Sequence, residues 1–260
     1  MKEMKIRREF KITGVIVKPS NIRELSKKVY EEYKSDKESR NKSINFILKG
    51  IDGIEYESDD IKVFSDNGIL DTRRIIEVEM RYVNHTNGKR ISIQIEHTLI
   101  AHVGVNYVFV SGPDEMWVNG IIRNFEDIIS SWEKQVTWPH KYDWFLTIIF
   151  AIGIGLLYLN FLEFIFTPII HPISPAPQWA VELRPILILI YYVSGILFGM
   201  WPASYIVKEL KKLYPIVELR TGPEHTQVEF KKRRKLYAII STGIIPLIIS
   251  LIVEIIKIIV

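Results

Sequence analysis

The chain has 260 residues, with 34 Lys and Arg against 30 Asp and Glu, and its net charge is +4. It contains no cysteine, which excludes disulfide scaffolds, thiolate zinc sites and cysteine nucleophiles. Residues 1–143 hold 23 bases and 23 acids, so the positive excess belongs to residues 144–260. This division predicts a charge-balanced folded domain followed by a second, net positive part of different composition.

The first 64 residues are predicted to form three strands and a helix. Apolar side chains recur at helical spacing over residues 22–33, and Ser20 or Asn21 is the candidate N-cap. Strands are predicted for residues 10–17, 44–48 and 61–64.

The pattern changes from helical to alternating in the next segment. Residues 76–82 and 91–95 alternate between apolar and polar side chains, which predicts two strands. Asn87–Gly88 between them is a strong turn signal. Residues 102–110 are apolar at almost every position, which indicates a central strand. An apolar stripe over residues 118–132 predicts a second helix.

These elements predict an α+β fold for residues 1–141, with an antiparallel sheet and two helices on one face. Residues 142–260 are dominated by three long apolar runs. At about 1.5 Å per residue, each run reaches across a bilayer core of about 30 Å. We expect three transmembrane helices, at about residues 144–166, 184–206 and 236–258.

The loop at residues 208–235 sets the expected topology. It carries nine bases, and short basic loops stay in the cytosol. The N-terminal domain is therefore expected in the cytosol, beneath the inner (plasma) membrane, and Val260 outside. Residues 217–219 and 228–230 alternate between apolar and polar side chains around a turn, which predicts a hairpin able to dock on the soluble domain.

Sequence signatures of catalysis are absent. There is no G-x-S-x-G elbow, no phosphate-binding glycine loop and no H-E-x-x-H, the patterns that place a nucleophile, a phosphate or a metal. His97 and His102 lack a third metal ligand. We therefore expect no enzyme, no metal and no cofactor, and a membrane enzyme is the least favoured functional class.

Basic residues are the strongest candidates for ligand binding. Residues 1–42 hold 13 bases and 7 acids, and further pairs of bases stand at predicted strand ends. Such groups would suit a phosphate-bearing ligand, and the alternative is an ordinary solvated surface. The candidate phosphate ligands are Arg7, Arg8, Lys11, Arg73, Arg74, Lys89 and Arg90.

The apolar runs contain small and polar residues of their own. Gly195 and Gly199 form a GxxxG pattern, which lets helices approach closely. Glu163 and Glu254 lie toward the far ends of two runs, with Asn160 close to the first. Around a ring of subunits these three side chains would line a pore or a cation-attracting vestibule. The alternative is that the acids are interfacial side chains.

Three spans are too few for a pathway through one copy, so the favoured hypothesis is a homo-oligomeric channel or pore in the lipid bilayer, gated by an anionic ligand. The alternative is a membrane-anchored binding or scaffold protein without transport. A cytosolic α/β domain ahead of a small helical membrane module resembles, across the whole chain in outline, the effectors of bacterial anti-phage signalling, in particular the Hailong effectors. The resemblance implies an ion channel gated by a nucleotide or short DNA oligomer, with a nucleotide-synthesising enzyme as partner. It carries over no individual residue.

Overall fold

The structure is a computed structural model, which describes residues 5–36, 41–97, 106–170, 184–223, 233–234, 237–238 and 241. The chain divides into two compact units. The first comprises Met1–Thr137 and Leu213–Lys235, and the second comprises Trp138–Lys212 and Leu236–Val260. The described residues 213–223 and 233–234, from the loop between the second and third apolar runs, thus belong to the first unit.

A six-stranded sheet forms the body of the first unit, and every neighbouring pair in it is antiparallel. This sheet, with its helices, confirms the α+β prediction. The strands are β1 (Ile6–Lys11), β3 (Lys42–Gly50), β4 (Glu55–Ser58), β5 (Ile75–Asn84), β6 (Arg90–Glu96) and β7 (Tyr107–Gly112). Their order across the sheet is β1-β7-β6-β5-β3-β4.

Two helices cover one face of this sheet. Helix α1 (Pro19–Ser35) contacts β3 and β5, and helix α3 (Glu115–Ser130) contacts β1 and β7. Their apolar stripes meet the inward side chains of the strands in one buried core, which removes those side chains from water. The opposite face carries the alternate side chains of each strand, and we call it the open face.

The predicted strand over residues 10–17 is two strands. Gly14 has a φ of +66°, a conformation that glycine adopts readily, and the chain turns there out of the six-stranded sheet. It continues as β2 (Val15–Val17) in a second sheet. Helix α1 then begins at Pro19 after Lys18 as N-cap, so neither Ser20 nor Asn21 is the cap. Asn21 accepts a hydrogen bond from the Lys18 amide (2.9 Å).

The predicted strand over residues 61–64 is wrong. Ile61–Phe64 forms a turn of 3-10 helix, because the Asp60 carboxylate caps it by accepting from the Lys62 amide (3.0 Å). Phe64 packs edge-to-face on Phe46 at 5.1 Å between ring centroids. A short apolar run indicates that a segment is buried, but it does not show whether the segment is a strand or a helix. The short helix α2 (Ile69–Thr72) follows.

The second sheet pairs β2 with β8 (Val217–Leu219) in parallel. The hairpin predicted for this loop is not what holds residues 217–219, because their neighbour is β2. Residues 228–230, the other half of that prediction, lie outside the described residues. Thr221 extends the attachment, since its hydroxyl accepts from the Ile75 amide (2.7 Å) and donates to the Ile75 carbonyl (3.2 Å).

The second unit contains the short helix α4 (Trp138–Lys141) and two long helices, α5 (Asp143–Ile170) and α6 (Arg184–Leu213). The long helices cross closely at glycines: a Cβ on Gly155 would lie 2.5 Å from the Gly195 carbonyl oxygen. Two segments, Asp143–Leu162 and Leu189–Leu213, are long and apolar enough to cross a membrane. The third expected span, over residues 236–258, lies outside the described residues apart from 237–238 and 241.

Candidate functional site

One cross-strand row on the open face carries two arginines. Arg7 on β1 pairs with Ser111 on β7, and Ser111 pairs with Arg90 on β6. Residues paired in this way point to the same face, and neighbouring strands lie about 5 Å apart. Arg7 and Arg90 therefore flank the short, buried side chain of Ser111.

A depression of about 330 Å³ lies over this row, and we call it the basic pocket. Ser111 and the ring of Phe109 belong to its floor on β7. The preceding chain and the β5–β6 turn add donors at its rim. The lining residues are Lys5, Arg7, Val83, Asn84, His85, Gly88, Arg90, Phe109 and Ser111.

The cations of the basic pocket have no acidic partner among the described residues. No ion pair joins Lys5, Arg7 or Arg90 to a carboxylate there, and the Arg90 guanidinium lies over the Phe109 ring at 5.9 Å. By contrast, Arg81 on the same face is paired with Glu79. The pocket therefore has the charge and hydrogen-bond donors that an anion such as phosphate requires.

The β5–β6 turn that borders the pocket is held by its own side chains. The Asn84 side chain accepts from the amides of Thr86 (2.9 Å) and Asn87 (3.3 Å), and the Asn87 side chain accepts from the Lys89 amide (3.1 Å). Gly88 has a φ of +70°, as the predicted Asn-Gly turn requires. These bonds fix where the chain re-enters the sheet at Arg90.

Asp36, which follows helix α1, ties this turn to the core. Its carboxylate accepts from the Tyr82 hydroxyl, from the side-chain amides of Asn84 (3.1 Å) and Asn87 (3.3 Å), and from Lys89 Nζ (3.1 Å). Lys89 also lies over the Trp117 ring at 4.9 Å. The Asp36 hub, meaning Asp36 with these four donors, is thus a structural support beside the pocket.

The hub changes the acidity of its members. Burial alone would raise the pKa of Asp36, but the hydrogen bonds from Tyr82, Asn87, Asn84 and Lys89 outweigh it and lower that pKa from 3.8 to about 2. Burial, together with the bond to Asp36, raises the pKa of the Tyr82 hydroxyl well above its ordinary value of 10.0. The carboxylate and the neutral phenol are therefore the forms that the fold stabilises.

Replacing Asp36 with Asn is expected to lower the free energy of unfolding by about 2 kcal/mol near neutral pH. Because the folded pKa lies below the unfolded one, the contribution of Asp36 is complete above about pH 4 and is lost as the pH falls through about 2. Urea unfolding of Asp36→Asn and wild type between pH 2 and 7, with hydrogen exchange over residues 84–90, measures this. Asp59→Asn, at an exposed loop position, is the control, and an equal effect there would contradict the assignment.

Of the seven predicted phosphate ligands, the structure brings Arg7 and Arg90 together. Lys89 is committed to Asp36, and Arg8 lies on the helix-covered side of β1, because Arg7 faces the other way. Lys11 is on the open face but in the row of Tyr107, away from the pocket. Arg73 and Arg74 lie at the other end of β5, where their backbone packs against Gly222.

The predicted pore residues are described in part. Asn160 lies on α5 and is exposed. Glu163 belongs to the same helix, but its side chain is outside the description, and Glu254 is outside the described residues altogether. In the part of the chain that the structure describes, no group of three His, Asp or Glu side chains is placed to hold a metal ion.

The sequence predicted only Arg7 and Arg90 as ligands among the nine lining residues. The seven that it did not predict as site residues are Lys5, Val83, Asn84, His85, Gly88, Phe109 and Ser111. Ser111 joins the site only through its register with Arg7 and Arg90, whose strands come from distant parts of the chain. Comparison of the chain with protein-family models, with curated proteins and with solved structures finds no match.

Proposed function

We propose that the chain is a membrane effector, a homo-oligomeric channel or pore whose first unit binds an anionic ligand such as a nucleotide or a short oligonucleotide. The observation that carries the proposal is the basic pocket, where cations that have no acidic partner among the described residues converge on the open face of the sheet. In this proposal the second unit, which contains the two candidate membrane spans, forms the channel or pore.

The exposure of the long helices supports membrane insertion. In the apolar stretches of the two candidate spans only 17% and 22% of the residues are buried. The core helix of a water-soluble protein, by contrast, buries its apolar side chains. Phe161, Leu197 and Phe198 are each more than half exposed. Apolar surface of this extent is favourable in lipid and costly in water. The bases at residues 208, 211 and 212 favour a cytosolic position for that end of α6.

Oligomerisation is part of the proposal because two or three helices cannot enclose a pathway. Gly155 of α5 already packs against Gly195 and Gly199 of α6 within one chain, so contacts between copies would use other faces. The exposed amide of Asn160 stands on such a face, and amides hydrogen-bond between helices in membranes.

Proteoliposomes containing the full chain are expected to show ion flux that depends on a phosphate-bearing ligand, tested with short single-stranded DNA oligomers and mononucleotides. Charge reversal in Arg7→Glu with Arg90→Glu is expected to lower ligand affinity at least about a hundredfold, because two attractive contacts become repulsive. Flux at a fixed ligand concentration should fall to the level of empty liposomes.

Arg81→Ala is the matched control. It removes an arginine from the same open face, but one that is already paired with Glu79, so affinity and flux are expected to stay near wild type. Absence of conductance with every ligand would contradict the channel. Equal loss in Arg81→Ala would contradict the location of the site.

A membrane-anchored binding protein without transport remains the second candidate, and one observation favours it. The hydroxyls of Thr147 and Ser194 donate to carbonyls of their own helices, those of Asp143 (2.7 Å) and Tyr191 (2.7 Å), so they are not directed into a pathway. Ligand binding that depends on Arg7 and Arg90, without flux, would select this candidate.

A further inference from the structure

We propose that the basic pocket selects a terminal phosphate carrying two negative charges, a phosphomonoester, over the singly charged phosphodiester inside a nucleic-acid strand. This inference rests on the proposed anion-binding function and names its ligand class more narrowly. It concerns which part of a ligand enters the pocket, whether that ligand is a small molecule, the end of an oligomer or a lipid headgroup.

The arrangement of donors fits a compact group. Arg7 and Arg90 stand on either side of Ser111, and Lys5 approaches the same depression from the chain before β1. Three cationic side chains around one hydroxyl can surround three phosphate oxygens from several directions. A phosphodiester exposes only two non-bridging oxygens, which share one charge, and continues as chain on both sides.

The charge balance points the same way. A phosphomonoester carries about −1.5 to −2 charges near pH 7, and a phosphodiester carries one. Lys5, Arg7 and Arg90 together supply three positive charges that are not neutralised by ion pairs in the described residues. The doubly charged group gains more from such a cluster.

Along the described residues of the open face, acidic side chains interrupt the positive charge outside the pocket. Glu9 lies between Arg7 and Lys11 along the same face of β1. Toward the far end of β5 and β6 the face carries Glu77 and Glu96, paired across the strands. Proteins that bind single-stranded nucleic acid along its length line the backbone with continuous positive charge. On this face Glu9 separates Lys11 from Arg7, and Arg81 is paired with Glu79, so the unpaired positive charge is not continuous.

The volume of the pocket sets the size of what enters. About 330 Å³ is more than a bare phosphate fills and is near the small end of ordinary ligand pockets. The Phe109 ring beside Arg90 provides an apolar surface for the group that bears the phosphate. An aryl or heterocyclic phosphomonoester is therefore a suitable probe.

Calorimetric titration of the full chain in detergent with phenyl phosphate and with methyl phenyl phosphate tests the selectivity, because the two probes share the ring and differ in charge. We expect phenyl phosphate to bind at least about tenfold more tightly. Arg7→Ala and Arg90→Ala should each lower the affinity for phenyl phosphate about tenfold or more and reduce the preference for it over methyl phenyl phosphate. Arg81→Ala should change neither the affinity nor the preference. A short DNA oligomer should bind more tightly with a terminal phosphate than without one.

Equal affinities for the two phenyl probes, or for the two oligomers, would overturn the selectivity while leaving anion binding intact. If none of the four probes binds in a manner that depends on Arg7 and Arg90, the site itself is wrong and the proposed function fails with it. Dioctanoyl phosphatidic acid against dioctanoyl phosphatidylcholine in the micelles identifies the carrier. Tighter binding of phosphatidic acid than of phosphatidylcholine would mean that the phosphomonoester belongs to a lipid. Binding of phenyl phosphate without any preference between the two lipids would mean that it belongs to a soluble ligand. Both results are consistent with selection of a phosphomonoester.

Discussion

Replacing Glu218 with Ala is expected to lower the free energy of unfolding of the first unit by about 3–5 kcal/mol. Glu218 is 1% exposed and accepts hydrogen bonds from Gln135, from Arg220 (2.9 Å) and from Arg233 (2.7 Å). Removing the carboxylate leaves two largely buried guanidinium groups without their acid. Urea unfolding, with hydrogen exchange over residues 15–17 and 217–219, measures the loss.

Glu133→Ala is the matched control for this network. Glu133 reaches the same Arg220 at 3.7 Å and Lys18 at 2.8 Å, but its side chain is 46% exposed, and exposed pairs contribute about 0–1 kcal/mol. A double replacement, Glu218→Met with Arg233→Met, should recover part of the stability, because it removes a buried acid together with one of its bases. If Glu218→Ala and Glu133→Ala unfold alike, the network does not hold β8.

The Glu218 network also changes how the basic loop is understood. Arg233 belongs to a run of five bases, residues 231–235, of the kind that commonly faces anionic lipid. In the structure Arg233 turns inward: it donates to the Leu213 carbonyl (2.9 Å) and to Glu218, and its guanidinium lies over the Tyr214 ring at 5.0 Å. At least this base serves the fold of the first unit.

Local patterns in the sequence were sufficient for most elements of the first unit. Alternation over residues 76–82 and 91–95 predicts β5 and β6, and apolar stripes predict α1 and α3. These patterns succeed because one face of each element is buried and the other is wet. At residues 217–219 the alternation predicts the strand β8 but not its pairing with β2, nor the burial of Glu218 by non-local partners.

The candidate site depended on information that periodicity does not contain. Lys89 and Arg90 are adjacent and both cationic, yet the first is paired with Asp36 and the second opens into the pocket. The difference arises because neighbours in a strand point to opposite faces, and because α1 ends where Asp36 reaches the β5–β6 turn. Only the register of β1, β7 and β6 reveals that Ser111 separates two arginines.

Substitution of Gly199 by Leu is expected to separate α5 from α6. A Cβ at Gly199 would collide with the Ala151 carbonyl oxygen, and one at Gly155 would meet the Gly195 carbonyl oxygen at 2.5 Å. Backbone atoms at such a crossing cannot rotate away, so the helices must move apart. We expect overpacking to lower the free energy of unfolding by about 1–3 kcal/mol or more. Separation of the helices should also break the hydrogen bond from the Tyr191 hydroxyl to the Leu159 carbonyl (2.8 Å).

Gly153→Leu supplies the control. Gly153 lies on the same helix as Gly155, but among the described residues a Cβ there would meet no atom within 4 Å other than its own helix backbone. Unfolding in SDS, with hydrogen exchange along α5 and α6, should show a lower midpoint for Gly199→Leu and Gly155→Leu than for Gly153→Leu.

Light scattering in detergent separates two roles of the GxxxG pattern. A changed oligomer mass with an unchanged midpoint would mean that the glycines join copies rather than the two helices of one chain. Because the glycine face is already filled within the chain, we expect the midpoint to respond first.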